Sequence, residues 1–137
     1  MKPIIETMSG RVRGKTMQTP TGDLFSFLGI PYAKPPMGEL RWRSPQEPTP
    51  WDNELECTEF GPCCPQPPYV EPWMGQPLGE MSEDCLSLNV WTPNTSADAN
   101  LPVMVFIHGG AFISGKSGME ECQGHHLATR DVVVVSL

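Results

Sequence analysis

Apolar residues recur along this chain in two rhythms. Val103-Met104-Val105-Phe106-Ile107 is an unbroken run, mostly β-branched or aromatic, which predicts a strand buried on both faces. Val132-Val133-Val134-Val135 repeats that pattern just before Ser136 and Leu137 and predicts a second buried strand. Leu86, Leu88 and Val90 instead alternate with Ser87 and Asn89, the period of a half-buried strand.

Weaker patterns fill the rest. Ile4 to Thr7 and Arg11 to Gly14 read as short strands about a Ser9-Gly10 turn, and Leu24 to Ile30 is a strand bounded by turn formers. A short helix is predicted over Glu120 to Thr129, with acids at its start to complement the helix dipole. From Pro31 to Pro77 prolines are dense enough to withhold donors from any long ladder or helix. Trp42, Trp51, Tyr69 and Trp73 fall in that stretch and predict an ordered loop laid over a core, because disordered segments are poor in aromatics.

The first run breaks into His108-Gly109-Gly110-Ala111-Phe112. Paired glycines at a strand exit permit a backbone most residues cannot adopt, so that N–H groups can be aimed at a ligand. In lipases and esterases of the α/β-hydrolase fold, a histidine-and-glycines turn of this kind supplies an oxyanion donor. The partner of such a turn is a serine in a Gly-x-Ser-x-Gly elbow between strand and helix, and that pattern occurs nowhere in the 137 residues. Ser114 and Ser117 sit near glycines without matching it. The chain therefore carries half of an ester-hydrolysis site.

Composition narrows the class. With 39% hydrophobic and 18% charged residues the chain is expected to be a globular piece without a membrane span. A formal charge of -7 argues against nucleic acid, whose phosphates demand clustered Lys and Arg. Lys2, Arg11, Arg13, Lys15, Lys34, Arg41 and Arg43 hold most of the basic charge, so the chain beyond Arg43 is acidic, an outer surface or a field that steers cations. The first residues lack the apolar segment of a secretory signal, which predicts a cytoplasmic chain, or a secreted one if the N-terminus is processed or truncated. Asn94-Thr95-Ser96 is a formal glycosylation sequon, expected to go unused in the cytoplasm although its loop position suits glycosylation. Cys57, Cys63, Cys64, Cys85 and Cys122 are an odd set without a C-x-x-C pair, and His108, His125 and His126 are not at finger spacing from any of them, so no zinc site is expected.

Taken together, the segments Gly10 to Gly14, Phe27 to Pro36, Leu40-Arg41-Trp42, Glu83 to Pro93 and Val103 to Gly115 resemble the N-terminal part of a type-B carboxylesterase. That group includes cholinesterases, lipases of the same build and non-catalytic adhesion relatives. The resemblance implies an α/β fold, namely the N-terminal part of an α/β-hydrolase with antiparallel N-terminal strands, a long Pro-rich loop and the start of the central mixed sheet. Residues 1–137 would be an incomplete portion of one carboxylesterase domain, inactive alone, with Val132 to Val135 as an unpaired sheet edge.

The same resemblance assigns roles. Gly110 and Ala111 would donate N–H groups to a developing oxyanion, with Gly109 giving the turn its freedom, while Ala111 stands where many members have a third glycine. His108 would be structural, since the family's catalytic histidine lies far downstream. Glu83 would pair with Arg41; the adjacent Glu83 and Asp84, on opposite faces of a strand, make a poor acid–base couple. Cys64 and Cys85 would match a disulfide near the entrance of the site, of about 3 kcal/mol by loop entropy, with Cys63 as alternative partner and a reducing cytosol as the opposing consideration. The implied function is hydrolysis of a small carboxylic ester through a serine acyl-enzyme, with no metal or organic cofactor and with the rest of the domain as the necessary partner. Two alternatives are a non-catalytic esterase-fold interaction protein and an independent small binding module.

Overall fold

Two sheets organise the computed structural model, which describes residues 2–137 without the side chain of Trp73. In the smaller sheet β1 (Ile4–Thr7) and β2 (Gly10–Arg13) form a hairpin, and the two-residue β5 (Leu55–Glu56) lies parallel to β2. The larger sheet runs β3-β4-β6-β8-β7, from β3 (Lys15–Thr19), β4 (Gly22–Pro31), β6 (Ser87–Thr92), β7 (Val103–Phe106) and β8 (Val133–Ser136). Its first four strands pair antiparallel and β7 joins β8 in parallel, so it is a mixed sheet.

The larger sheet is covered on both faces near its middle. On one side Leu24, Trp91 and Val134 pack with Val132 and with Ala128 of α2 (His125–Ala128). On the other, Phe27 packs with Val12 of the small sheet and Cys57, flanked by Val90 and Trp51. β6 is consequently not half-buried as the alternation predicts: Asn89 is 1% exposed, and the face expected in water is interior.

The helix expected over Glu120 to Thr129 is two pieces, a 3-10 turn at Glu120–Cys122 and then α2. Gly124 separates them, and a Cβ there would lie 2.5 Å from the Val134 side chain and 2.9 Å from Trp91. Close approach to the sheet, rather than helix continuity, sets the backbone at that point.

Two further expectations are corrected at the sheet edge. β8 is interior, between β6 and β7, so Val132 to Val135 is not the unpaired edge. That edge is β7, and the run expected to be buried on both faces is open, with Val103 60% and Ile107 71% exposed, because no strand follows β7 in the sheet order.

The Pro-rich stretch has little regular structure beyond 3-10 turns at Gly38–Leu40 and Pro68–Val70, β5, and the one-turn α1 (Glu71–Met74). It is held by its own small core of Cys63, Val70 and Leu78. Trp51 lies over the small sheet and donates Nε1–H to the Arg11 carbonyl at 2.8 Å. Trp42 and Tyr69 do not cover the core; they are exposed.

The uneven charge resolves into pairs. Lys2 meets Glu56, Arg11 and Arg13 meet Glu54, Lys15 meets Glu59 and Arg41 meets Glu83. Early bases thus answer later acids across the N-terminal layer. No helix among the described residues is long and apolar enough to cross a membrane.

Candidate oxyanion site

The ladder between β7 and β8 continues through Leu137 N–H to the Phe106 carbonyl at 3.1 Å and His108 N–H to the Leu137 carbonyl at 3.3 Å. The chain then leaves the sheet through three successive positive-φ residues, Gly110 (+126°), Ala111 (+54°) and Phe112 (+61°). The Gly110 carbonyl collects the N–H groups of Ile113 and Ser114, both at 3.0 Å, and the Ser114 hydroxyl at 3.2 Å. A Cβ at position 110 would stand 1.7 Å from the Ser114 carbonyl oxygen, so only glycine fits. Ala111 and Phe112 occupy a backbone region that costs an L-residue about 1–2 kcal/mol.

This turn engages the Gly110 carbonyl and leaves its donors free. Among the described residues the N–H groups of Gly109, Gly110, Ala111 and Phe112 have no protein acceptor. Consecutive unpaired N–H groups on a turned backbone form a concavity suited to an anionic oxygen. Gly109 and Gly110 also line a cleft of about 260 Å³ with Met74, His108 and Met119. His108 is a part of the frame: its Nδ1 lies 2.7 Å from the Gly109 carbonyl, and its ring leaves no room for a Cβ on Gly115.

Two polar devices that sequence reasoning misses hold the turn in place. The Gln66 side-chain amide grips both sides of Gly115, accepting its N–H at 2.9 Å and donating to its carbonyl at 2.9 Å, and also donates to the Cys64 carbonyl at 3.1 Å. Buried Asn89 does the same for the far end of the loop. Its Oδ1 accepts from Gly29 N–H at 3.0 Å, and its Nδ2 donates to the hydroxyls of Ser117 and Ser136 at 3.1 and 3.2 Å. Ser136 in turn donates to the Ser117 carbonyl at 3.1 Å. A fully partnered buried amide fixes one arrangement, since every alternative strands a polar group. The one sequence signal is an asparagine flanked by Leu88 and Val90 within a strand.

Behind the turn lies a cavity of about 330 Å³, whose walls include Cys63, Cys64, Cys85, His108, Gly115 and Lys116. The Lys116 ammonium donates to the carbonyls of Pro77 at 2.6 Å and Leu78 at 2.9 Å, tying the Pro-rich loop to the segment after the turn. All five cysteines are free thiols; Cys64 and Cys85 share this cavity wall with Cys63. Burial, then the neighbouring thiols, push Cys85 up, and burial does the same to Cys63. Cys57, far from this wall in the core, is pushed from 9.0 to about 11, chiefly by burial and then by Glu56.

Arg41 and Glu83 form a two-point pair, Nε to Oε1 at 2.8 Å and Nη2 to Oε2 at 2.6 Å. Hydrogen bonding to the guanidinium holds the Glu83 carboxyl below its ordinary range. Glu83 and Asp84 precede β6 rather than lie in it, so strand alternation does not separate them as expected; what commits Glu83 is its partner. No group of His, Cys, Asp and Glu among the described residues is arranged to hold a metal ion.

A model of the carboxylesterase family matches residues 1–137. The chain belongs to the carboxylesterase family. It is similar to an acetylcholinesterase of Danio rerio, 43% identical over 98% of this chain and 22% of the relative. Para-nitrobenzyl esterase of Bacillus subtilis (strain 168) is 42% identical over 98% of this chain and 27% of the relative, and juvenile hormone esterase of Tribolium castaneum 38% identical over 98% and 22%. A solved structure of PNB esterase superposes with a TM-score of 0.87 at 40% identity, covering 98% of this chain and 27% of that one. The mixed sheet and its loops are therefore those of the N-terminal part of an α/β-hydrolase. This carboxylesterase chain spans about a quarter of the length of the relatives it matches.

Proposed function

We propose that this chain supplies the oxyanion turn of a serine carboxylic-ester hydrolase whose nucleophile, base and acid lie in the remainder of the domain. The observation that carries the reading is the pair of unpartnered N–H groups at Gly110 and Ala111, on a turn closed by three hydrogen bonds to the Gly110 carbonyl. In the reaction, serine Oγ attacks the ester carbonyl carbon while a base takes its proton. The carbonyl oxygen gains negative charge against those N–H groups, and the alcohol leaves with a proton. Water then releases the acid from the acyl-enzyme. Each preorganised donor is worth roughly 3 kcal/mol of transition-state stabilisation. Relatives named for p-nitrobenzyl and juvenile hormone esters support a small carboxylic ester as the substrate class.

The test is pre-steady-state hydrolysis of p-nitrophenyl acetate by a complete protein containing this segment. A burst of p-nitrophenol stoichiometric with protein is expected, and its loss when the downstream serine is changed to alanine. Residues 1–137 alone should give no turnover. A complete protein that lacks a serine elbow, or that has one and shows neither burst nor turnover, would instead be a non-catalytic interaction protein of the same fold.

A further inference from the structure

The loop from β6 to β7, residues 93–102, holds the only Asn-X-Ser/Thr triplet in the sequence, Asn94-Thr95-Ser96. Asn94 and Ser96 are exposed. The Asn94 side chain is held through its oxygen: Oδ1 accepts Ser96 N–H at 2.8 Å. Its backbone is occupied as well, the carbonyl accepting the Thr92 hydroxyl at 2.7 Å and the N–H donating back to that hydroxyl at 3.3 Å. Only Nδ2 is left, and among the described residues it donates to nothing.

We propose that Asn94 is an N-glycan acceptor, taking an oligosaccharide from a polyprenyl-diphosphate donor when the chain enters a secretory lumen. The Nδ2–C1 bond forms as the C1–O bond to the diphosphate breaks. The diphosphate leaves with the electron pair, and the amide gives one proton to a base. The folded geometry accommodates the product, because the atom that carries the sugar has no protein partner to lose and belongs to an exposed residue. The position also spares the site. Asn94 lies before the N-terminal end of β7, whereas the Gly109-Gly110-Ala111 turn leaves its C-terminal end, so a bulky glycan sits at the opposite end of that strand.

The experiment is translation of the chain behind a cleavable secretory leader with microsomal membranes. Protease protection selects the translocated molecules, so the reading does not depend on folding. Protected chain should migrate more slowly, with the shift removed by peptide N-glycosidase F. Asn94→Gln and Ser96→Ala should each abolish the shift, and Ser96→Thr should retain it. Protected, leader-cleaved chain without a shift would overturn the proposal, as would a shift that persists in Asn94→Gln.

Discussion

Arg41 straddles the Glu83 carboxylate across 42 residues of chain, one guanidinium nitrogen to each oxygen. The pair fastens the turn after the Gly38–Leu40 3-10 element to the segment leading into β6. Both side chains are about half exposed, 53% and 40%, so water screens the attraction and geometry is the larger part of its worth. A carboxylate held below its ordinary 4.5 stabilises the fold above that value, and the contribution is lost as pH falls through the lowered one. Glu83→Gln should therefore lower the urea midpoint modestly at about pH 7, and the difference should shrink as pH falls below 4.5 and vanish once the lowered value is passed. A difference that persists in acid would mean that the pair is not what the substitution disturbs.

Gln66 ties the Pro-rich loop to the end of the glycine turn through both polar groups of Gly115. Gln66→Ala leaves a buried N–H without an acceptor and should cost about 1–3 kcal/mol. Gln66→Glu keeps the acceptor for Gly115 N–H but loses the donor to its carbonyl, and should fall between the two. Hydrogen exchange at the Gly115 amide is the local readout: it should quicken in Gln66→Ala before the sheet amides do. Unchanged exchange there would show that the clamp does not hold the turn.

Ala111 and Gly110 make opposite predictions. At φ +54° alanine bears a strain of about 1–2 kcal/mol that glycine does not, while glycine loses about 0.4–1 kcal/mol more to chain entropy. Ala111→Gly should thus raise stability by about 0.5–1 kcal/mol in thermal unfolding. Gly110→Ala drives a Cβ to 1.7 Å from a backbone oxygen and should cost roughly 3 kcal/mol or more by backbone strain and overpacking together. Finding Gly110→Ala tolerated would require a different turn.

What the sequence makes legible follows from distance along the chain. The strands around Leu24, Leu88 and Val134, and the glycine turn after Ile107, are local patterns and can be read from a few adjacent residues. β3 escapes because Lys15-Thr16-Met17-Gln18-Thr19 offers a single apolar side chain; pairing with β4 makes it a strand. Gln66 and Asn89 escape for a related reason, since the groups they clamp at Gly29, Gly115, Ser117 and Ser136 lie 28 to 60 residues away. The exposure of β7 escapes because burial is a property of what packs outside a strand, and the pattern of the strand itself carries no such information.

The thiols should separate by reactivity. A thiol raised to about 11 is a thiolate in only about one molecule in a thousand at pH 8, and Cys57 is buried besides. Exposed Cys64 should be alkylated first by iodoacetamide under native conditions, and Cys57 last, as read by peptide mass spectrometry. Because the Cys57 value is raised in the fold, its contribution is present below the ordinary 9.0 and is lost as pH climbs through about 11. Under mild oxidation the expected bridge is Cys64 with Cys85, which share a cavity wall. A Cys63 bridge in the peptide map would assign the pairing to the neighbouring thiol instead.

β7 offers an unpaired backbone edge with Val103, Met104, Val105 and Phe106 all exposed. A flat apolar edge is a template for further strands, so the 137-residue chain should form concentration-dependent oligomers. Placing a charge on that edge blocks pairing, and Val105→Lys should shift the chain toward monomer in size-exclusion chromatography. In a complete esterase domain the same substitution should have the reverse effect. If the rest of the domain covers β7, the introduced ammonium would be stripped of water, at a cost of several kcal/mol. Oligomers of the isolated chain that persist with Val105→Lys would place the sticky surface elsewhere. A complete domain indifferent to the change would mean that β7 stays exposed even there.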